Sequence, residues 1–263
     1  MTPRATRIVR RAVACASTLA VATSLTPWSA TLPFGIGTVR ADDACTTTCY
    51  VDAATGDDSA TGSLASPKQT IGAAVTQVSP GGTVVVAPGT YAEDVALTKA
   101  VTLSGFGADS TTIVGQAGGD GAAVRVQASG VTVEGFTITR TGNDLANWND
   151  PTLNFAGVAI QGQTVDAVIR ENRITGNRTA IDVNNSNDNV IVDNVIDANH
   201  TGVFFRNQTD NTTLNGNVIT DNRTVGVLFI DASGGDNVPV QSATDSDFSG
   251  NVIADNWYGQ VVD

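Results

Sequence analysis

Along the second half of the chain, short runs of alternating apolar and polar positions return at a nearly constant interval. Small residues open four of these runs: Gly157-Val158-Ala159-Ile160, Ala180-Ile181-Asp182-Val183, Gly202-Val203-Phe204-Phe205 and Gly226-Val227-Leu228-Phe229. The second and fourth positions are always apolar, while the third varies. Alternation with a period of two predicts a strand with one face buried. Two further short strands follow in each unit, for example Ala167-Val168-Ile169-Arg170 and Arg173-Ile174-Thr175. A second marker keeps phase with the first. The phrase Asn172-Arg173-Ile174-Thr175-Gly176-Asn177 recurs as Asn-x-Ile-x-x-Asn from Asn194, Asn217 and Asn251, at intervals of 22, 23 and 34 residues. A fixed period above about 20 residues marks an array of stacked units. The units contain no hairpin turns, so each strand must pair with its equivalent in the next unit, parallel and in register. The expected fold is all-β, a single-stranded right-handed parallel β-helix with rungs about 4.8 Å apart. A leucine-rich horseshoe would need Leu at fixed sites, where this chain uses Val and Ile.

The repeated Asn has a physical role in such a coil. At a sharp corner Asn tolerates unusual dihedrals and bonds nearby backbone. Asn172, Asn194, Asn217 and Asn251 are therefore expected to stack as a hydrogen-bonded ladder along the axis. The Asn-x-Ser/Thr triplets at Asn177, Asn199, Asn207 and Asn222 read as corner residues rather than glycosylation sites.

The two ends differ from the rungs. Arg4, Arg7, Arg10 and Arg11 precede an apolar stretch over 12–25, too short to span a bilayer, which reads as an export signal over residues 1–41. Cleavage is expected after Val39-Arg40-Ala41, with Trp28-Ser29-Ala30 the second choice. Residues 42–82 read as an N-terminal cap with a short helix. Ser66-Pro67-Lys68-Gln69 supplies an N-cap pattern, Ile71, Ala74, Val75 and Val78 keep helical spacing, and Pro80-Gly81-Gly82 ends the segment. The helix would cover the open apolar end of the coil. The β-helix proper is placed at 83–263, with less regular strands at 83–86, 95–97, 101–103 and 112–114 and regular rungs from about residue 122. After Tyr258 the strand phrase restarts with no cap beyond it. That suggests a fragment of a longer coil or, less favoured, an end covered by another subunit.

Charge narrows the partners. Removing residues 1–41 leaves nine Lys and Arg against 26 Asp and Glu, a net charge of −17. Such a surface repels nucleic acid, and nothing in the mature chain would insert into a membrane. The expected location is secreted or at the cell surface. Cys45 and Cys49 could form a small local disulfide outside the cytoplasm. One His, His200, with no Cys/His cluster makes a zinc or copper site improbable; His200 reads as a surface turn residue.

Function must come from outward side chains and the loops beside them. The third and fifth residues of each small-residue-led strand point outward: Arg125 and Gln127, Ala159 and Gln161, Asp182 and Asn184, Phe204 and Arg206, then Leu228 and Ile230. This polar stripe suits a few residues of an extended polysaccharide. Beside it, 141–155 carries Trp148, a sugar-stacking platform or a loop anchor. The other insertion, 230–248, carries Asp231, Asp236, Asp245 and Asp247, which could hold calcium.

The segment Pro88-Gly89-Thr90-Tyr91-Ala92-Glu93 followed by Val101-Thr102-Leu103-Ser104-Gly105 resembles the opening of pectin methylesterases and of exported β-helix proteins. With the Asn-x-Ile-x-x-Asn rungs, the mature chain resembles the pectin lyase-like superfamily. That resemblance implies polysaccharide chemistry, but the enzyme strings are missing. The methylesterase Gln-Asp-Thr-Leu and Asp-Phe-Ile-Phe-Gly do not occur. Of the polygalacturonase series, Arg173-Ile174-Thr175 is the nearest approach to Arg-Ile-Lys. Inverting hydrolysis needs two facing carboxyls, and the stripe offers Asp182 alone. A lyase-like site, for which the superfamily uses an Arg or Lys base with calcium, would use Asp182 and Arg206 as catalytic residues. Arg125, Gln127, Gln161, Asn184, Phe204 and Trp148 would then bind substrate. Gln127, Gln161, Asp182 and Arg206 also echo part of the esterase pattern. The alternative is a non-catalytic module that binds glycans or spaces other domains; a phage-type fibre segment fits the export signal poorly.

Overall fold

Apolar side chains at every second position need a shared interior, and the computed structural model shows how the repeated unit supplies one. It describes residues 44–116, 118, 121–142, 156–230 and 243–262. The expected export signal therefore lies outside the described residues. Three parallel seven-stranded sheets wrap one core, and the chain visits them in turn. The first sheet stacks Thr48–Val51, Gly82–Val86, Val101–Gly105, Thr132–Glu134, Val168–Arg170, Val190–Val192 and Thr213–Asn215. The second runs from Gly89–Tyr91 to Val252–Ala254, and the third from Val95–Leu97 to Tyr258–Val262. The protein is a right-handed parallel β-helix.

Register follows from side-chain shape. In the second sheet Ile113, Ile138, Ile174, Ile196 and Ile219 stack in line and are completely buried. In the third, Val124, Val158, Ile181, Val203 and Val227 form one inward column, with Val126, Ile160, Val183, Phe205 and Phe229 beside it. β-branched residues suit these positions because they pack against their equivalents above and below. Phe205 and Phe229 stack at 5.2 Å, and Phe248 meets both at 5.3 Å, filling the core towards the C-terminal rungs. Glycine at 157, 202 and 226 in the third sheet has a steric cause. A Cβ on Gly202 would come within 2.2 Å of the Gly226 carbonyl oxygen in the next rung.

The corners explain the Asn phrase, and they hold two ladders where the sequence suggested one. Asn172 donates from its backbone N and Nδ2 to Asn194 Oδ1 at 3.1 and 3.2 Å. Asn194 does the same to Asn217, and Asn217 to Asn251. The closing Asn of each phrase repeats the pattern through Asn177, Asn199, Asn222 and Asn256. Three of the four triplet Asn are thus buried corner residues; the fourth, Asn207, stands at another corner with φ 60°. Each ladder Asn follows a left-handed residue that turns the chain. Before the second ladder these are Gly176, Ala198, Asp221 and Asp255. Ala198 holds φ 52° on an exposed corner, a conformation that costs an L-residue with a Cβ about 1–2 kcal/mol. Ala198→Gly is therefore expected to raise unfolding free energy by about 0.5–1 kcal/mol, because relief of strain outweighs the added backbone entropy. Urea unfolding of the two proteins would show this as a higher midpoint, and an unchanged or lower midpoint would count against it.

The N-terminal helix spans Ile71–Gln77, and Ile71, Ala74 and Val75 are buried against the first strands. Its N-cap is Thr70, not Ser66. Thr70 Oγ1 accepts from Ala73 N, and the Glu93 carboxylate accepts from Ile71 N and Gly72 N at 2.8 and 2.9 Å. Ser66 is held instead in a bridge with Ser63, and Asp58 takes the backbone N–H groups of Gln69 and Thr70. At the other end Lys99 Nζ donates to the Thr76 and Val78 carbonyls. The first-turn N–H groups are thus met by the N-cap and two carboxylates, and two carbonyls at the other end by an ammonium, each charge of the favourable sign. Cys45 and Cys49 are joined as a disulfide, with Cα atoms 5.1 Å apart.

Candidate functional site

The outer face of the third sheet carries the predicted stripe. Arg125, Ala159, Asp182, Phe204 and Leu228 lie in one column, and Gln161, Asn184, Arg206 and Ile230 in the next. Asp182, Arg206, Gln161, Phe204 and Asn184 come together. Arg125 stands two rungs away, and Gln127 is exposed beyond the strand end. Trp148, Asp231 and Asp236 lie outside the described residues.

Asp182 points outward yet is completely buried. Its oxygens accept from Gln161 Nε2 at 2.7 Å, Arg206 Nε at 2.8 Å and Arg206 Nη2 at 2.5 Å. The Arg206 guanidinium lies 5.2 Å from the centre of the Phe204 ring, within cation–π range. This geometry makes a rigid, fully engaged ion pair. Both carboxylate oxygens accept hydrogen bonds and the side chain is only 1% exposed, so Asp182 is shut away from solvent and substrate. Arg206 in turn commits Nε and Nη2 to Asp182. The expected catalytic pair is therefore closed on itself in this conformation. Its neighbour Asn184 Oδ1 accepts from Asn207 Nδ2 at 2.7 Å.

A second group of residues was missed from the sequence. Immediately after each strand the chain turns through left-handed residues, Gln163, Asn185 and Asn207, with φ 62°, 50° and 60°. Between these turns lies a polar cleft of about 190 Å³, lined by Gln163, Thr164, Val165, Asn185, Asn187 and Gln208. Backbone bonds fix its walls: Gln163 N to Asn185 O at 2.9 Å and Ser186 N to Gln208 O at 3.0 Å. The signal was present as an amide-rich segment after each strand, but it names no chemistry until the rungs are stacked. A larger apolar cleft of about 310 Å³ lies near the N-terminal end, with Tyr50, Val85, Leu64 and Phe106 in its walls. Its acid, Asp52, is held below the usual carboxylate range by the Thr55 hydroxyl and the Ala54 backbone N–H.

At the corner between the second and third sheets, His200 is half-buried. Burial, then the nearby charges of Arg178 and Arg223, push its imidazole below the usual histidine range. Among the described residues no three His, Cys, Asp or Glu side chains converge into a metal-holding group. No helix there is long and apolar enough to cross a membrane.

Residues 107–252 match the family described as "Periplasmic copper-binding protein (NosD)". The chain belongs to the NosD family. Solved structures similar to this NosD-family chain include pectin methylesterase PemA from Erwinia chrysanthemi, 16% identical, covering 77% of this chain and 71% of that one with a TM-score of 0.48. A GH136 lacto-N-biosidase from Eubacterium ramulus is 12% identical over 70% of this chain and 55% of that one, with a TM-score of 0.41. A rhamnogalacturonan lyase is 13% identical over 76% and 49%, with a TM-score of 0.40. No curated protein sequence matches the NosD-family chain.

Proposed function

We propose that this NosD-family member is an exported, non-catalytic glycan-binding β-helix that holds polysaccharide at the amide-lined corner of its third sheet. The observation that carries this is the cleft bounded by Gln163, Asn185, Asn187 and Gln208, continuous along the chain with Gln161, Asn184 and Arg206. Amide and hydroxyl groups donate and accept in matched pairs with sugar hydroxyls, and stacked rungs repeat the same donors along an extended chain. The closed Asp182–Arg206 pair supports binding rather than cleavage, since the two groups a lyase-like site would use are engaged with each other. Export is part of the proposal, supported by the Arg-led apolar N-terminus, the Cys45–Cys49 disulfide and the periplasmic setting named for the family.

The family description also names copper, and the donor set here does not fit it. Copper sites draw on imidazole, thiolate and thioether ligands. The whole chain has one His, one Met and three Cys, and Cys45 and Cys49 are tied in a disulfide. His200 alone cannot complete a site, so no role is routed through the metal.

Glycan-array binding by the exported protein tests the proposal. Bound oligosaccharide without turnover is expected, with Asn185→Ala and Gln208→Ala together lowering affinity about tenfold, as for loss of two hydrogen bonds. Accumulation of unsaturated or reducing-end product that disappears in Asp182→Ala would overturn the non-catalytic reading.

A further inference from the structure

The second Asn ladder aligns whatever residue follows each of its members. Those residues are Arg178, His200, Arg223 and Trp257. Backbone bonds hold them on successive rungs. His200 N donates to Asn177 O, Thr201 N to Arg178 O, Arg223 N to Asn199 O and Thr224 N to His200 O, all between 2.8 and 2.9 Å, and Tyr258 N donates to Thr224 O at 2.8 Å. With rungs about 4.8 Å apart, the Arg178 and Arg223 backbones are about 10 Å apart along the axis with His200 between them. Burial first, then the nearby charges of Arg178 and Arg223, hold the His200 imidazole below its usual range, as expected for side chains sharing one corner.

Two guanidinium groups on one corner repel each other across the largely uncharged imidazole between them. The neighbouring column of the second sheet does the opposite, pairing Arg173 with Asp197 across rungs at 2.7 Å. A chain with 26 acids against 14 Lys and Arg nevertheless gathers bases at this corner. Arg178 Nε is moreover buried with no hydrogen-bond partner among the described residues. Trp257 ends the column 73% exposed and stacked on Tyr258, with ring centres 6.2 Å apart. Exposed aromatic faces beside charged groups suit a ligand with both apolar and ionic surfaces.

We propose that this corner is a second binding site, for an extended acidic polysaccharide whose anionic groups lie along Arg178, His200 and Arg223 while a sugar ring packs on Trp257. The linear column matches a polymer with one anion per sugar residue better than a compact phosphate, which would want converging donors. The site stands on a different corner from the amide cleft and does not depend on it.

Affinity electrophoresis of the exported full chain tests this, with polygalacturonate and dextran sulfate as carboxylate and sulfate probes, neutral dextran as control, and single-stranded DNA. Retardation by at least one acidic polysaccharide is expected, weakening more than tenfold between low and high salt as counter-ions compete. Arg178→Gln with Arg223→Gln should weaken it at least tenfold, and Trp257→Ala several-fold, with unchanged thermal unfolding. Should the double variant fail to fold, exposed Arg223→Gln alone is expected to weaken it about threefold. Retention by only one acidic polymer identifies the anion as carboxylate or sulfate and still supports the site. No retention by either, equal retention of the Arg variants, or tighter binding to DNA would overturn it. Loss of neutral-glycan binding in Asn185→Ala/Gln208→Ala with acidic binding intact separates the two sites. Neutral binding alone would leave the amide cleft standing and remove this one.

Discussion

Asn194→Ala is expected to lower unfolding free energy by about 3–5 kcal/mol, the largest loss expected from a single polar side chain in this protein. Asn194 is almost completely buried. Its Nδ2 donates to Ile169 O at 2.9 Å, Val192 O at 3.0 Å and Asn217 Oδ1 at 3.0 Å. Its Oδ1 accepts both the backbone N and Nδ2 of Asn172. Truncation takes these bonds from the Ile169 carbonyl and the Asn172 backbone N–H, and one of two partners each from Val192 O, which keeps Glu171 N, and Asn172 Nδ2, which keeps Val133 O; each group left unpaired costs about 1–3 kcal/mol when no water can reach it. Asn194→Asp should be at least as damaging, because a carboxylate would face the same carbonyls without a proton to donate. Denaturant unfolding checks both. A loss below about 1 kcal/mol for Asn194→Ala would mean the corner relaxes or admits water, and the ladder would not be a principal source of stability.

Arg206→Ala is expected to cost about 2–4 kcal/mol. Removing the guanidinium leaves the Asp182 carboxylate, whose side chain is 1% exposed, with Gln161 as its remaining side-chain donor. Breaking a buried pair from one side costs about 3–5 kcal/mol, and the figure is reduced here because the Arg206 side chain is 26% exposed. Asp182→Asn added to Arg206→Ala should recover at least half of that loss, since no charge is then left stranded. A double-mutant cycle measures this directly. Purely additive losses would show that the pair is not coupled and would reopen a separate role for each residue in substrate chemistry.

The repeat made much of this architecture legible. Strict alternation assigned inward and outward positions in the third sheet, and the 22- and 23-residue intervals fixed which residues are neighbours across rungs. Arg206 next to Asp182 follows from that arithmetic. The second ladder was harder to see, because Asn177, Asn199 and Asn222 carry the same local signature as exposed turn residues; only stacking shows that their side chains point into the wall. The helix start was misplaced for a related reason. Ser66-Pro67 satisfies a local capping pattern, but Asp58 and Glu93 supply acceptors from distant turns, and those decide where the first helical N–H groups lie. Burial of Asp182 was likewise beyond local reading: an outward position on one strand becomes a covered one when long side chains from the rungs on either side fold over it.

By itself the sequence determined the scaffold: a parallel coil, its period, its inward face and its corner residues, because each is set by nearest-neighbour geometry repeated rung after rung. Only the tertiary structure decided what the outward residues amount to. Whether a carboxylate is engaged or open, whether amides border a cleft, and whether three bases share one corner all depend on side chains from different rungs meeting. The Asn phrase brings those residues within reach, and their lengths and charges, expressed in three dimensions, determine what the surface can hold.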